Sequence, residues 1–177
     1  EAGHQVWLVN RNQNFVDAGA GMDLVLVLGG SDNVVDGGND DDCLIQNGTG
    51  SGNILRGGAG NDELHVAAGA AATTLEGGAG IDRLTDLAGG SLLKGGLDDD
   101  SYTILADTQI VENANEGIDA VGFSTNIGSS YTLAANFETL FLYQAADTLM
   151  IEGHGNSEDN TIWGNRIDNL LSGGAGN

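Results

Sequence analysis

Five aspartates recur at intervals of 19, 20, 20 and 18 residues: Asp23, Asp42, Asp62, Asp82 and Asp100. Each closes a glycine-rich stretch. GGAGND (57–62) and GGAGID (77–82) are nearly identical, and GGNDDD (37–42), GGLDDD (95–100) and AGAGMD (18–23) are near copies. Such stretches offer oxygen: a carboxylate, plus the carbonyls of a backbone that glycine leaves uncovered and free to take positive φ. Oxygen cages of flexible geometry suit calcium, which takes about 6–8 oxygens, better than magnesium, which wants a rigid octahedron and keeps its waters. The candidate metal ligands therefore fall in five groups. They are Ala18, Gly19, Ala20, Gly21, Met22 and Asp23; Gly37, Gly38, Asn39, Asp40, Asp41 and Asp42; Gly57, Gly58, Ala59, Gly60, Asn61 and Asp62; Gly77, Gly78, Ala79, Gly80, Ile81 and Asp82; and Gly95, Gly96, Leu97, Asp98 and Asp100.

Those intervals are close to twice nine. Between the glycine-rich nonapeptides lie degenerate ones: VNRNQNFVD (9–17), LGGSDNVVD (28–36), GTGSGNILR (48–56), AGAAATTLE (68–76) and DLAGGSLLK (86–94). Across both sets, and a partial copy ending at Leu8, the eighth positions read Trp7, Val16, Val25, Val35, Leu44, Leu55, Leu64, Leu75, Leu84, Leu93 and Tyr102, all apolar in a chain that is 40% hydrophobic. Disorder does not produce such a column. Mixed neighbouring columns fit the period of two in a short strand. Each nonapeptide is thus expected to be a six-residue turn and about three residues of strand whose central side chain points inward. Stacked about 4.8 Å apart, the turns would set carbonyls and carboxylates in rows.

Composition narrows the partners. There are 26 acids against 5 bases, a formal charge of −21, with 30 glycines and no proline. That charge opposes compaction unless something neutralises it. It also argues against nucleic acid and anionic membrane surfaces. No apolar run approaches the roughly 20 residues of a membrane span. The single Cys43 excludes an internal disulfide framework. The chain begins at Glu1 without Met and breaks off inside GGAGN (173–177), where the repeat aspartate would follow. It reads as a piece of a longer array.

The nonapeptide closely resembles the GGxGxDxUx repeat of the repeats-in-toxin (RTX) family, a repeat known for binding calcium in a parallel β-helix. The resemblance implies an all-β, right-handed parallel β-roll with two nonapeptides per turn. It places calcium between turns, held by odd-position carbonyls of one turn and by even-position carbonyls and the aspartate of its neighbour. It further implies export through a bacterial type I secretion channel and residence outside the cell or on its surface. The departures are informative. The opposite edge carries Asn14, Asn33, Asn53, Thr73 and Ser91 at the aspartate position. A one-sided roll is expected, with about four calcium ions on the aspartate edge and a hydrogen-bonded polar column on the other. Gln5 takes the acid's place in the first turn, so the gap below Asp23 should be weak. Asp40 and Asp98 stand where the third glycine belongs, and Asp tolerates left-handed conformations.

From residue 104 the register stops. Tyr102, the run 115–121 (NEGIDAV) and the run 131–142 (YTLAANFETLFL) resemble a further element of large secreted proteins of this class, with Ala120 and Phe137 as departures. Wider coils with longer strands are expected over 104–154, with a strand at FETLFLY (137–143). Asp119 reads equally as a calcium ligand or a turn acid. Nonapeptides return at GNSEDNTIW and GNRIDNLLS, with Ile162 and Leu171 inward. The expected organisation is a roll over 1–103, wider coils over 104–154 and a resumed roll over 155–177, with room for further ions over 104–177.

No HExxH, GxSxG elbow or paired His and Cys appears, so an enzyme is not expected. One face asks for a partner. The outward residues Val6, Leu8, Leu24, Leu26, Cys43 and Ile45 are apolar, whereas Glu63, His65, Arg83, Thr85, Ser101 and Thr103 continue the same face as polar. That patch suggests packing on a neighbouring module, on 104–152 or on another copy. The expected function is a calcium-binding structural module that folds after secretion and scaffolds a larger extracellular protein. The alternative is an adhesin segment binding a carbohydrate or a surface, for which Trp163 is the one free aromatic and Trp7 is expected to be buried.

Overall fold

A computed structural model describes residues 3–105, 107–125, 130–144 and 150–176. The expected coils of 104–154 include 106, 126–129 and 145–149, and the last repeat includes Asn177; these lie outside the described residues. Every regular element described is a strand, and all strand pairing is parallel. The fold is the expected all-β solenoid. No helix long and apolar enough to cross a membrane occurs among the described residues.

Strands are numbered in chain order. One nine-stranded sheet follows the aspartate turns: β1 (Val6–Val9), β3 (Leu24–Val27), β5 (Cys43–Gln46), β7 (Glu63–Val66), β9 (Arg83–Asp86), β11 (Ser101–Ile104), β13 (Ala120–Thr125), β15 (Thr139–Gln144) and β17 (Thr161–Trp163). The opposite wall holds β2 (Phe15–Ala20), β4 (Val34–Asn39), β6 (Ile54–Ala59), β8 (Thr74–Ala79), β10 (Leu92–Leu97) and β12 (Gln109–Val111). A third sheet joins β14 (Ser130–Thr132), β16 (Ile151–His154) and β18 (Asn169–Ser172). One wall therefore runs unbroken from the nonapeptides through the later coils, while the other changes sheet after β12. On the unbroken wall the strands lengthen from four residues in β11 to six in β13 and β15. The strand expected at 137–143 runs over 139–144.

Alternation builds the core. Leu44, Leu64 and Leu84 on one wall face Leu55, Leu75 and Leu93 on the other, each with 0% exposure. Burying one such leucine contributes roughly 1.5–3 kcal/mol, and the column repeats it at every turn. Beyond Tyr102 the filling becomes aromatic. Tyr102 meets Phe137 edge-on at 5.2 Å, and Phe123 stacks on Tyr131 at 4.7 Å. Outside, in-register neighbours Asp36, Arg56, Glu76 and Lys94 alternate in sign. Glu76 accepts from Arg56 at 2.8 Å and from Lys94 at 3.1 Å.

Three expectations need correction. Turns at the aspartate edge are shorter than six residues, because β4, β6, β8 and β10 run on through both glycines: Gly38, Gly58, Gly78 and Gly96 pair across the ladder. Trp7 is in register with Val25 but is 36% exposed, because β1 is the end strand of its sheet and no turn covers it among the described residues. Leu171 is 44% exposed for the same reason, on the terminal strand β18, while Ile162 packs on the core. The apolar outer face is graded: Val6 and Leu8 are exposed, but Leu24, Leu26, Cys43 and Ile45 are half-buried along their ladders.

Candidate metal-binding column

Each repeat aspartate sits at the turn before a four-residue strand, and its side chain points into the stack. Asp23, Asp42, Asp62, Asp82 and Asp100 are 1–3% exposed. Their Oδ1 atoms form a ladder. Gln5 donates its backbone N–H to Asp23 at 2.7 Å, Asp23 to Asp42 at 2.7 Å, and Asp42 to Asp62 at 2.7 Å. Asp62 continues it to Asp82 at 2.8 Å, Asp82 to Asp100 at 2.7 Å, and Asp100 to Asp119 at 2.8 Å. Asp119 donates to Glu138 Oε2 at 2.7 Å.

The second oxygen of each repeat aspartate has no partner. Oδ2 of Asp23, Asp42, Asp62, Asp82 and Asp100 is buried without a hydrogen bond. An unsatisfied buried acceptor costs about 1–3 kcal/mol, more when charged. Five in file demand an explanation. The glycines supply part of it. A Cβ at Gly37, Gly57, Gly77 or Gly95 would land on the free oxygen of Asp42, Asp62, Asp82 or Asp100. At Gly37 and Gly77 it would also meet the carbonyl of Gly57 or Gly95 from the next turn. The first glycine of each of these four pairs thus keeps space beside a free carboxylate oxygen, and at Gly37 and Gly77 beside a carbonyl of the neighbouring turn as well. That donor set fits a hard cation such as calcium.

Ion-free, the column is under electrostatic load. Burial, reinforced by the neighbouring carboxylates, pushes Asp42 up, Asp62 to about 6, and Asp82 and Asp100 to about 7. The backbone N–H donors offset only part of this.

The other expected ligands divide by position. Met22, Ile81 and Leu97 point outward and are more than half exposed, so they offer only backbone. Carbonyls of Asn39, Ala79 and Leu97 accept from Gly21, Gly60 and Gly80 of the preceding turn. Asp40 and Asp98 take φ of 75° and 77°, as Gly21, Gly60 and Gly80 take positive values at the same position. Asp41 and Asn61 form an outer ladder, accepting from the N–H groups of Asn61 and Ile81 at 2.8 Å. At the first turn Gln5 donates its amide to the carbonyl of Ala18, presenting a donor where other turns present an acceptor.

The opposite edge is chemically complete. Asn33 Oδ1 accepts the backbone and amide N–H groups of Asn14, and Asn53 Oδ1 those of Asn33, at 2.8–3.0 Å. Thr73 donates its backbone N–H to Ser91 Oγ at 3.2 Å.

Sequence reasoning missed Glu112. Leu93 pairs with Ile110 and Lys94 with Val111, so the next residue, Glu112, follows the place of Gly95. It is an inward carboxylate where the earlier turns have glycine. Aligning IVE with LKG carries the signal; the shorter 17-residue step hides it. Glu112 Oε1 accepts from Gly95 N–H at 3.0 Å and from the Tyr102 hydroxyl, and Oε2 is buried without a partner. Burial, with Asp119 and Asp100 nearby, pushes Glu112 to about 8, and Asp119 rises to about 6. Among the described residues, Asp100, Glu112 and Asp119 are the acids whose ligand atoms gather as a trio, all within 4.8 Å. No family model, curated protein or solved structure matches the chain.

Proposed function

We propose that the chain is a calcium-responsive structural module, an RTX-like roll that folds when calcium enters the gaps of the aspartate column and that supports a larger protein outside a bacterial cell. The file of five free, buried carboxylate oxygens carries this reading. Each ion would sit where a free Oδ2 faces a glycine-lined space, and would bridge two turns. Binding free energy then becomes folding free energy, because the unfolded chain has no such site. Bridged turns fold cooperatively, as nearest-neighbour stacks do. Extracellular modules of this kind bind at about 0.1–1 mM, which leaves the chain unfolded in calcium-poor cytoplasm and folds it outside.

Circular dichroism with equilibrium dialysis tests the reading at pH 8. Little β signal is expected in chelator, with a cooperative rise near 1 mM calcium and about four ions bound along the roll. Magnesium at equal concentration should not substitute. A full β signal in excess chelator would sink the proposal.

One observation favours a second reading, a carbohydrate- or surface-binding module. On the outer face of the long sheet Phe141 stacks with Tyr143 and with Trp163, ring centroids 6.2 Å apart in each pair. Tyr143 and Trp163 are 50% and 58% exposed. A flat aromatic strip suits the apolar face of a sugar ring. Under this reading a glycan array probed with the calcium-loaded chain gives hits that Trp163→Ala abolishes without changing the β signal; an array without hits removes it.

A further inference from the structure

The end of the aspartate column differs in kind from its middle. Along the roll, the free oxygens of Asp42, Asp62 and Asp82 each face a glycine, with a carbonyl of the next turn beside it at Gly37 and Gly77. At the end, three side-chain carboxylates converge. Asp100 comes from the turn before β11, Glu112 follows β12, and Asp119 comes from the turn before β13. They are 2%, 6% and 1% exposed. Asp100 Oδ2 and Glu112 Oε2 are both buried without a hydrogen bond. No lysine, arginine or histidine pairs with any of the three among the ion pairs of the described residues. Their remaining oxygens are oriented by fixed donors: Asp82 N–H on Asp100 Oδ1, Asp100 N–H on Asp119 Oδ1, and Gly95 N–H with the Tyr102 hydroxyl on Glu112 Oε1. Holding one oxygen of Asp100 and of Glu112 in place while leaving the other free is how a protein prepares a cation site. The position is structural as well. β12 is the last strand of the second sheet, and the third sheet begins beyond it.

We propose that Asp100, Glu112 and Asp119 form a separate site for a single hard divalent cation of the calcium class, tighter than the roll sites, which clamps the last turn of the roll to the first of the longer-stranded coils. The proposal rests on the calcium reading only for the class of ion. Ligand charge and rigidity set the affinity of oxygen sites. Three buried carboxylates should therefore bind at least about tenfold more tightly than a gap supplied by one carboxylate and carbonyls. Tyr102 is a positioning residue: its hydroxyl lies beside the free oxygen of Asp100 and holds Glu112 through Oε1.

Terbium titrated into the full chain in place of calcium gives the test, because a tyrosine ring beside the ion sensitises its emission. A tight phase is expected that saturates at a single ion, at a concentration about tenfold below that filling the roll. Glu112→Gln keeps an oxygen for Gly95 and Tyr102 and removes the charge. It should weaken the tight phase at least about tenfold while the calcium-dependent β signal of the roll persists. Tyr102→Phe should dim the tight phase and leave the number of bound ions unchanged. A tight phase unaltered in both Glu112→Gln and Asp119→Asn overturns the proposal and leaves Glu112 as a neutral, hydrogen-bonded core residue. If those variants do not fold in saturating calcium, anomalous scattering from terbium in crystals of the unaltered chain decides. A peak among the three carboxylates supports the site and its absence overturns it. A tight phase surviving in a chain whose β signal ignores calcium would remove the roll reading and leave this site standing.

Discussion

In excess chelator, lowering the pH from 8 to 5 is expected to restore the β-solenoid without any metal. The carboxyls of Asp62 and Asp119, at about 6, and of Asp82 and Asp100, at about 7, all titrate well above the ordinary 3.8. Glu112, at about 8, does so from 4.5. The cause is burial first and neighbouring carboxylates second. Between the ordinary and the raised values, the folded chain holds protons that the unfolded chain has released. Stability from these groups is therefore complete below about pH 4 and is lost as the pH climbs through 6 to 8. One pKa unit corresponds to about 1.4 kcal/mol, so Asp82 alone accounts for roughly 4 kcal/mol between about pH 4 and 7, of which roughly 3 kcal/mol falls between pH 5 and pH 8. The groups do not sum, because protonating one relieves its neighbours. Even one such term shifts the melting temperature of a chain this size by about 10 °C. Calcium reverses the trend, since protons compete with the ion for the same oxygens. Melting curves at both pH values, with chelator and with calcium, check the prediction: the ion-free chain should melt higher at pH 5, and the calcium response should be larger at pH 8. An ion-free melting point that rises with pH would exclude the electrostatic account.

Under the proposed function, protons and calcium are alternative solutions to one problem, and the sequence displays the problem openly. Leu64 and Asp62 were legible because both obey a period near twenty residues, and a period dictates direction. Direction is not coverage. Trp7 and Leu171 keep their register and are still exposed, because covering a side chain takes a turn on the far side and the end strands have none. Glycine disfavours strands, so the glycine pairs read as turn; in the fold, ladder pairing from both neighbours holds them extended. Glu112 was lost for another reason. The coil shortens just where it lies, and an isolated acid near a break in register looks like solvent-facing turn. The alternation of Ile110 buried, Val111 exposed and Glu112 buried bears out the alignment of IVE with LKG and shows Glu112 as the occupant of a glycine's place. The aromatic strip escaped because Phe141 and Trp163 are 22 residues apart and meet only through the pairing of β15 with β17.

The opposite edge of the roll shows what the aspartate edge would become without its charge, and this fixes the expected behaviour of Asp82→Asn. Asn33 and Asn53 use one side-chain oxygen to accept the N–H of the preceding turn, as the aspartates do, and spend their amide N–H groups on oxygens around them. Asparagine at position 82 keeps the acceptor for Asp62 N–H. It also replaces the free Oδ2 with a donor near the Gly95 carbonyl. In chelator at pH 8 the variant loses a buried charge and gains a hydrogen bond, so it should be more stable by on the order of 3 kcal/mol, melting about 10 °C higher. In calcium the order inverts. The free oxygen of Asp82 faces the gap beside Gly77 and the Gly95 carbonyl, so the substitution removes a charged ligand from that gap and weakens the charge around the next. The calcium midpoint should rise about tenfold and the melting temperature in saturating calcium should fall below that of the unaltered chain. Core damage lowers both curves and a harmless surface change moves neither; only a residue whose charge is a liability without the ion and an asset with it makes the curves cross. Melting temperature against calcium for the two proteins therefore measures, at one position, whether the aspartate column exists to stabilise the fold or to make the fold conditional.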